Sequence, residues 1–394
     1  MKYPLGHNSW NYEEKKAAIK VLNSGFFTMG KQVKKFEEKF AHKFGAKYAT
    51  MVNSGSSANL LMMSILKNFS KILKKKKIKN PNIIAPVVGW STSYYPICQN
   101  GFKINFVDVD LDTLNICPKK VEKAINKNTV AILAINLLGN PCNFEKLENI
   151  AKKNNLILLE DNCESLGANY KSKFCGTYGV MGTHSLFFSH HMQTMEGGVI
   201  LTNNKDINDF LKSLRAHGWC RDLPKNNNLY KKTNDKFKDH FVFVTPGYSV
   251  RPLEIEASVG LVQLKKLNQF MKIRNRNSKI FTKLFKNKSW CKIQKQEPNA
   301  QSSWYGFNLI LTGNLKNKRR EIIKKLIKKK IEVRPTMTGN FLNNPVMKFL
   351  DYEAKGTFKN AKFIDQNGFF VGNYPKNLNK ELNFLYKILE KEAT

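Results

Sequence analysis

The sequence predicts an α/β protein built on a largely parallel sheet, and three observations carry that prediction. Runs that are apolar throughout, rather than alternating, recur in the first half of the chain: Tyr48–Val52, Asn82–Pro86, Ile104–Asp110, Val130–Asn136 and Leu156–Asp161. Continuous apolarity is expected of strands covered on both faces. Helix-like stretches separate several of these runs, as crossover connections between parallel strands require. Polar segments follow the run ends, where open α/β sheets place their functional groups. Asn53–Ser57, Trp90, Asp161–Glu164 and the loop around His190 all lie there.

Taken in order, residues 9–44 read as helical. Asn11-Tyr12-Glu13-Glu14 opens the pattern, and Val33, Phe36, Phe40 and Phe44 recur at helical spacing. After the first strand, Asn53-Ser54-Gly55-Ser56-Ser57-Ala58-Asn59 reads as a turn before a helix over Leu60–Phe69. A strand, a Gly/Ser turn and a helix start can cradle an anion, because free N–H groups and the positive helix end meet there. The same residues also cap ordinary helices. Gly176, Gly179 and Gly182 mark a Gly-rich turn before Ser185, and a polar loop follows as far as Val199-Ile200-Leu201. This predicts strand, loop, strand. Residues 222–245 are polar and read as a long loop. A helix from Ile255 to Gln269 is expected to run on to about Phe285 and to lead into a second domain. That domain carries strands at Trp304–Leu311 and Ile331–Pro335 and a helix at Arg319–Lys330. The expected organisation is a large domain over 1–250 and a linking helix with a small α+β domain over 251–394.

Composition narrows the function. The formal net charge is +36, but only 8 of the 66 basic residues are Arg. Arg is the preferred group for bidentate phosphate and base contacts. The Lys residues sit in runs such as Lys71–Lys79 and Lys316–Lys330, interleaved with Ile and Leu. Solvated helix faces explain such runs better than a nucleic-acid site, although the charge can still draw in an anionic substrate. No apolar run is long enough to span a membrane, and Met1–His7 lacks the apolar core of a signal peptide. The seven cysteines are scattered and never form Cys-x-x-Cys. Reduced thiols, a cytoplasmic location and no metal site are therefore expected.

The segment Ser185-Leu186-Phe187-Phe188-Ser189-His190-His191-Met192-Gln193-Thr194-Met195-Glu196-Gly197-Gly198 narrows it further. Together with Asn53–Asn59, Val87–Tyr95, Glu160–Gly167 and Gly247–Leu264, in that order, it resembles the DegT/DnrJ/EryC1/StrS sugar aminotransferases. The resemblance implies the fold type I of pyridoxal 5′-phosphate-dependent transferases and a homodimer with shared active sites. It also implies that Asp161 holds the cofactor's ring nitrogen protonated and that Trp90 stacks on the ring. Ser56, Ser57 and Ser185 would contact the phosphate, and Glu164 would face the ring's hydroxyl edge. Relatives often read Gly-Tyr-Asn-x-Arg where this chain has Gly247-Tyr248-Ser249-Val250-Arg251. The Asn reaches the neighbouring subunit's cofactor phosphate, and Ser249 is shorter.

Family members carry a lysine five residues after the Ser, and here His190 stands there. An imidazole cannot make the covalent link that an amine makes, but it can move protons. One branch of the family has His at this position: the NDP-4-keto-6-deoxyhexose 3-dehydratases, which use pyridoxamine phosphate. His190 is then the catalytic base, with a pKa expected near its ordinary value, and His191 a neighbour. Some members of the branch hold a [2Fe–2S] cluster on a Cys-x-Cys-x-x-Cys run and work with a reductase. Arg215–Asp222 has the single Cys220, so neither cluster nor reductase is expected. Gly89–Pro96, Arg334–Phe341 and Asn367–Asn373 look like the cluster-free members that act on GDP-4-keto-6-deoxy-D-mannose in colitose formation for O-antigen lipopolysaccharide. L-glutamate is the implied amino donor, and Arg251 and Arg334 are candidate contacts to the nucleotide sugar. An aminotransferase acting on another nucleotide sugar and an inactive cofactor-binding homologue are the alternatives.

Overall fold

The five apolar runs all become strands. The computed structural model describes residues 2–69, 78–233, 235 and 237–394; most of the lysine run Lys71–Lys79 lies outside the described residues. The helical stretch expected over 9–44 is two helices, α1 (Tyr12–Ser24) and α2 (Lys31–Phe44). Gly25 ends α1 in the left-handed region at φ 67°, which glycine adopts without a Cβ clash. Glu254 restarts the chain as α2 by accepting the backbone N–H groups of Gly30 (2.7 Å), Gln32 (2.9 Å) and Val33 (2.9 Å).

Then come β1 (Tyr48–Val52), α3 (Gly55–Asn68), β2 (Asn82–Pro86), α4 (Ser91–Gln99), β3 (Lys103–Val107) and α5 (Pro118–Ala124). β4 (Thr129–Ile135), α6 (Phe144–Lys153), β5 (Ile157–Asp161), the hairpin β6 (Asn169–Tyr170) and β7 (Lys173–Phe174), β8 (Met181–Ser185), β9 (Gly198–Thr202) and α7 (Lys205–Leu214) follow. The described residues between 222 and 245 stay irregular apart from a short turn at Lys238–Phe241 and an isolated bridge from Phe243 to Trp219.

α8 (Glu254–Phe285) is one helix of 32 residues. Beyond it lie β10 (Cys291–Ile293), β11 (Ala300–Gln301), β12 (Gly306–Leu311), α9 (Arg319–Lys328), β13 (Val333–Pro335), β14 (Tyr352–Ala354), α10 (Lys359–Asn367), β15 (Gly368–Gly372) and α11 (Asn379–Ala393). β12 starts two residues later than expected, because Trp304 takes φ 49°, which a strand does not allow. In α9, Ile322 and Leu326 are buried while its lysines face solvent, as the solvated-face reading requires.

The large sheet runs β1-β9-β8-β5-β4-β2-β3-β14. Its pairings are parallel from β8 through β5, β4, β2 and β3 to β14, and β9 runs against both its neighbours. Alternate residues feed two cores: Ile83, Ala85, Ala131 and Leu133 pack with α3 and Tyr94 of α4, whereas Ile84, Ile132 and Ala134 pack with Phe144 and Leu147 of α6. The second sheet, β10-β12-β15-β13, is antiparallel and packs on the end of α8, α9 and α11.

The division expected at residue 250 is crossed in both directions. Tyr3 is buried in the C-terminal core, bridges Ile331, and donates its hydroxyl to the Gly372 carbonyl at 2.6 Å. In return β14 closes the edge of the large sheet beside β3.

Candidate active site

A cavity of about 720 Å³ opens beyond the C-terminal ends of the parallel strands. Ser56, Trp90, Asp161, Glu164, Ser185, His190 and Arg334 all line it. Ser57, Ser249 and Arg251 do not.

The helix next to the cavity starts at Gly55, five residues before the sequence expectation, because Ser54 caps it by accepting Ser57 N–H at 3.0 Å. The N–H groups of Gly55 and Ser56 have no acceptor within the helix. A Cβ on Gly55 would stand 2.7 Å from Ser185 Cβ and 2.9 Å from Cys163 Sγ. Glycine therefore lets the helix start press against Ser185. Ser57 faces its own cap, 3.0 Å from Ser54 Oγ.

Asp161 ends β5 and is buried. Its Oδ2 accepts Asn59 Nδ2 at 2.8 Å and Ser93 Oγ at 2.6 Å, and its Oδ1 accepts Cys163 N–H at 3.0 Å. Glu164 accepts Leu138 N–H at 2.8 Å. Burial pushes its carboxyl up to about 8, with the Asp161 charge adding to the shift. Trp90 is 55% exposed at the rim and is no core residue.

His190 sits on the loop between β8 and β9. Its Nδ1 lies 2.7 Å from the Cys163 carbonyl oxygen. A carbonyl only accepts, so Nδ1 carries the proton and Nε2 the lone pair. The near-neutral pKa expected from the sequence is corrected: burial pushes His190 down to about 4, the bond to Cys163 opposes this, and the Arg274 charge adds to it. The ring is therefore neutral throughout the physiological range. His191 is buried, and its Nε2 lies 3.1 Å from the Ser303 carbonyl oxygen. It is a neighbour, as expected.

Sequence reasoning missed several groups. Asn59 and Ser93 lay inside quoted motifs, but nothing local pointed them at Asp161. Tyr305 was read as strand. Its ring centroid is 5.1 Å from that of His190, and its hydroxyl is 3.4 Å from Ser189 Oγ. Burial pushes that hydroxyl up to about 12. Leu5, Glu332, Met337 and Phe370 stand with Arg334 among the cavity's lining residues. Arg251 instead packs over Trp219 at 5.7 Å, beside Arg221 at 4.1 Å. Ser249 is exposed and bridges Ala216. Among the described residues, no lysine lines the cavity, and no group of three His, Cys, Asp or Glu is placed to hold a metal ion. Among the described residues, no helix is long and apolar enough to cross a membrane.

The model of the DegT/DnrJ/EryC1/StrS aminotransferase family matches residues 8–385. The chain belongs to this family. Within it, the chain is 46% identical to the GDP-4-keto-6-deoxy-D-mannose 3-dehydratase of Yersinia pseudotuberculosis, over 99% of this chain and 98% of that one. Two solved structures of GDP-4-keto-6-deoxymannose-3-dehydratase each match at 45% identity with a TM-score of 0.94, covering 98% of this chain and all of theirs. One is a variant with bound GDP-perosamine, and the other holds a trapped PLP–glutamate geminal diamine. These likenesses establish the fold of the pyridoxal phosphate-dependent sugar aminotransferases. The cavity fits that family's cofactor: an unspent helix start with Ser56 and Ser185 for a phosphate, a buried carboxylate in Asp161 for a ring nitrogen, and an exposed indole in Trp90 for a ring face.

Proposed function

We propose that this chain is a pyridoxal/pyridoxamine phosphate-dependent 3-dehydratase of GDP-4-keto-6-deoxy-D-mannose. It removes the sugar's C3 hydroxyl to give the 3,6-dideoxy-4-ketosugar. The observation that carries the reading is His190: a neutral imidazole with Nε2 free stands where the family has lysine, in a cavity whose described lining holds no lysine. The 46% identity over 99% of the chain supports it.

When bound, pyridoxamine phosphate supplies the amine that joins the C4 ketone and the ring that stores the released electron pair. The N–H groups of Gly55 and Ser56, with the hydroxyls of Ser56 and Ser185, hold the phosphate. Ser57 supports them through the cap. Asp161, its position fixed by Asn59 and Ser93, holds the proton on the ring nitrogen. Trp90 covers the ring. Glu164, protonated up to about pH 8, donates to the ring's hydroxyl edge. His190 Nε2 takes the proton from the cofactor's C4′ carbon. The imidazolium then gives it to the departing C3 oxygen, so the net loss is water. With no lysine amine among the cavity's described lining residues, transfer of that proton to sugar C4, which would leave an amino sugar, is disfavoured. Water would then release the ketosugar, with a solvent proton gained at C3 and the C4 nitrogen leaving as ammonia, and L-glutamate would supply the amine for the next turnover. The trapped glutamate adduct in a relative supports that donor.

Arg334 at the mouth is the proposed contact to the nucleotide diphosphate. We assign Ser249 and Arg251, which lie outside this chain's cavity, to the site of a second copy in a homodimer. The dehydratase reading is tested with a panel of GDP-, CDP- and dTDP-4-keto-6-deoxyhexoses plus glutamate. GDP-linked 3,6-dideoxy-4-ketosugar and one ammonia per turnover are expected, without iron or reductase. A 4-amino sugar as the main product would overturn it.

A further inference from the structure

Arg274, in the middle of α8, is 2% exposed, and no carboxylate pairs with it among the described residues. A buried guanidinium without a counter-ion is costly, so its surroundings identify what holds it there. Its Nη1 donates to the carbonyls of Trp304 and Tyr305, both at 3.3 Å, and to that of Asn373. Its Nε has no hydrogen-bond partner. The bonds therefore go to one short turn and to the residue after β15. That turn is unusual. Trp304 is held at φ 49°, a conformation that bulky side chains avoid. Tyr305 N–H donates to Leu138 O at 2.9 Å, and Leu138 N–H in turn donates to Glu164. The ring of Tyr305 covers His190 at 5.1 Å and reaches His191 at 5.9 Å. Arg274 thus sits directly behind the aromatic wall that the imidazole leans on.

We propose that Arg274 is a positioning residue for the proton transfers of His190: it fixes the Trp304–Tyr305 turn against the imidazole and keeps a positive charge behind it. The inference rests on the assignment of His190 as the base. Two effects follow from one group. The carbonyl bonds hold Tyr305 where it orients His190, so Nε2 points into the cavity. The charge disfavours the imidazolium, so His190 starts each cycle neutral. The other titratable and charged groups around the ring are Asp161 at the end of β5, Cys163 and Glu164 just after it, His191 on its own loop, and Tyr305, with Glu196, Glu332 and Arg334 along the cavity wall. Burial is the larger influence on His190, and the Arg274 charge acts in the same direction.

The test pairs Arg274→Met, which removes charge and bonds, with Arg274→Lys, which keeps the charge but cannot span three carbonyls. The first readout is the titration of His190 in the cofactor-free protein, followed by ¹⁵N-histidine NMR and assigned with His190→Asn. In Arg274→Met the titration is expected to move up toward the ordinary histidine value of about 6.5. In Arg274→Lys it stays with the wild type. The second readout is turnover: both variants lose on the order of tenfold to a hundredfold in kcat with KM little changed, and only Arg274→Met shifts the acid limb of the kcat–pH profile upward. An unchanged His190 titration in Arg274→Met, or a wild-type kcat in either variant, overturns the proposal. If Arg274→Met does not fold, Arg274→Lys decides: lowered kcat with an unmoved titration supports the proposal, and wild-type kcat sinks it. Wild-type turnover in His190→Asn would instead sink the base assignment, while the NMR titration would still report on Arg274.

Discussion

A lysine amine and an imidazole differ in what they can do with a proton and a carbonyl, and at position 190 that difference decides the chemistry. His190→Asn keeps the loop's shape but cannot accept a proton. It is expected to lower 3-dehydration by on the order of 10²–10⁴. Cofactor binding, followed by absorbance, should persist through Ser56, Ser185 and Asp161. Gly55→Ala tests the phosphate end. Its Cβ would meet Ser185 and Cys163 below 3.0 Å, so the helix start must retreat. The expected result is a loss of about 1–3 kcal/mol in stability with weaker cofactor binding, read by thermal melting and cofactor titration. At this scale the sequence was informative wherever a strand end met a polar run, as at Ser56, Asp161, Glu164 and His190. It was silent on Tyr305 and Arg274. Their roles depend on contacts between segments far apart in the chain, and neither lies in a local pattern that signals chemistry.

Elements were legible where hydrophobic period and caps agreed. β1, β2 and α8 formed nearly where the apolar runs placed them. The break at Gly25–Gly30 was not legible, because the partner that restarts α2 is Glu254, 224 residues away in sequence from Gly30. Its buried carboxylate accepts three backbone N–H groups. Glu254→Ala leaves them without an acceptor and should cost about 3 kcal/mol, measured as a lowered urea midpoint with the slope unchanged. Glu254→Gln keeps one acceptor oxygen and should cost less. Similarly, the Gly-rich turn before β8 is explained by contact: a Cβ on Gly182 would stand 2.3 Å from the Gly176 Cα. Glu160 holds the same turn through Gly176 N–H at 2.6 Å and Gly179 N–H at 2.7 Å.

For the whole molecule, buried titratable groups set opposing pH windows. Burial pushes His184 down to about 3 and His190 to about 4. Their neutral forms suit the fold, so that stability is present above about pH 6.5 and is lost as pH falls toward those values. Burial pushes Glu160 up to about 7 and Glu164 to about 8. Their stability is present below about pH 4.5 and is lost as pH rises through 7 to 8. Single variants separate the two windows. His184→Gln should flatten the acid-side loss, worth about 2 kcal/mol at pH 5, and Glu164→Gln the alkaline-side loss, both read as urea midpoints across pH. Apolar runs revealed the large sheet, but not that a strand from the C-terminal half closes its edge, because the three residues of β14 carry no period of their own. That last feature sets the order of events during synthesis. Synthesis of β3 is complete at residue 107, yet the strand that covers its outer edge ends at residue 354. Through most of translation the nascent sheet has an open flank, which is the kind of edge that recruits foreign strands. A chain released at residue 350 should therefore aggregate, whereas one released after residue 372 should keep β3 protected in hydrogen exchange.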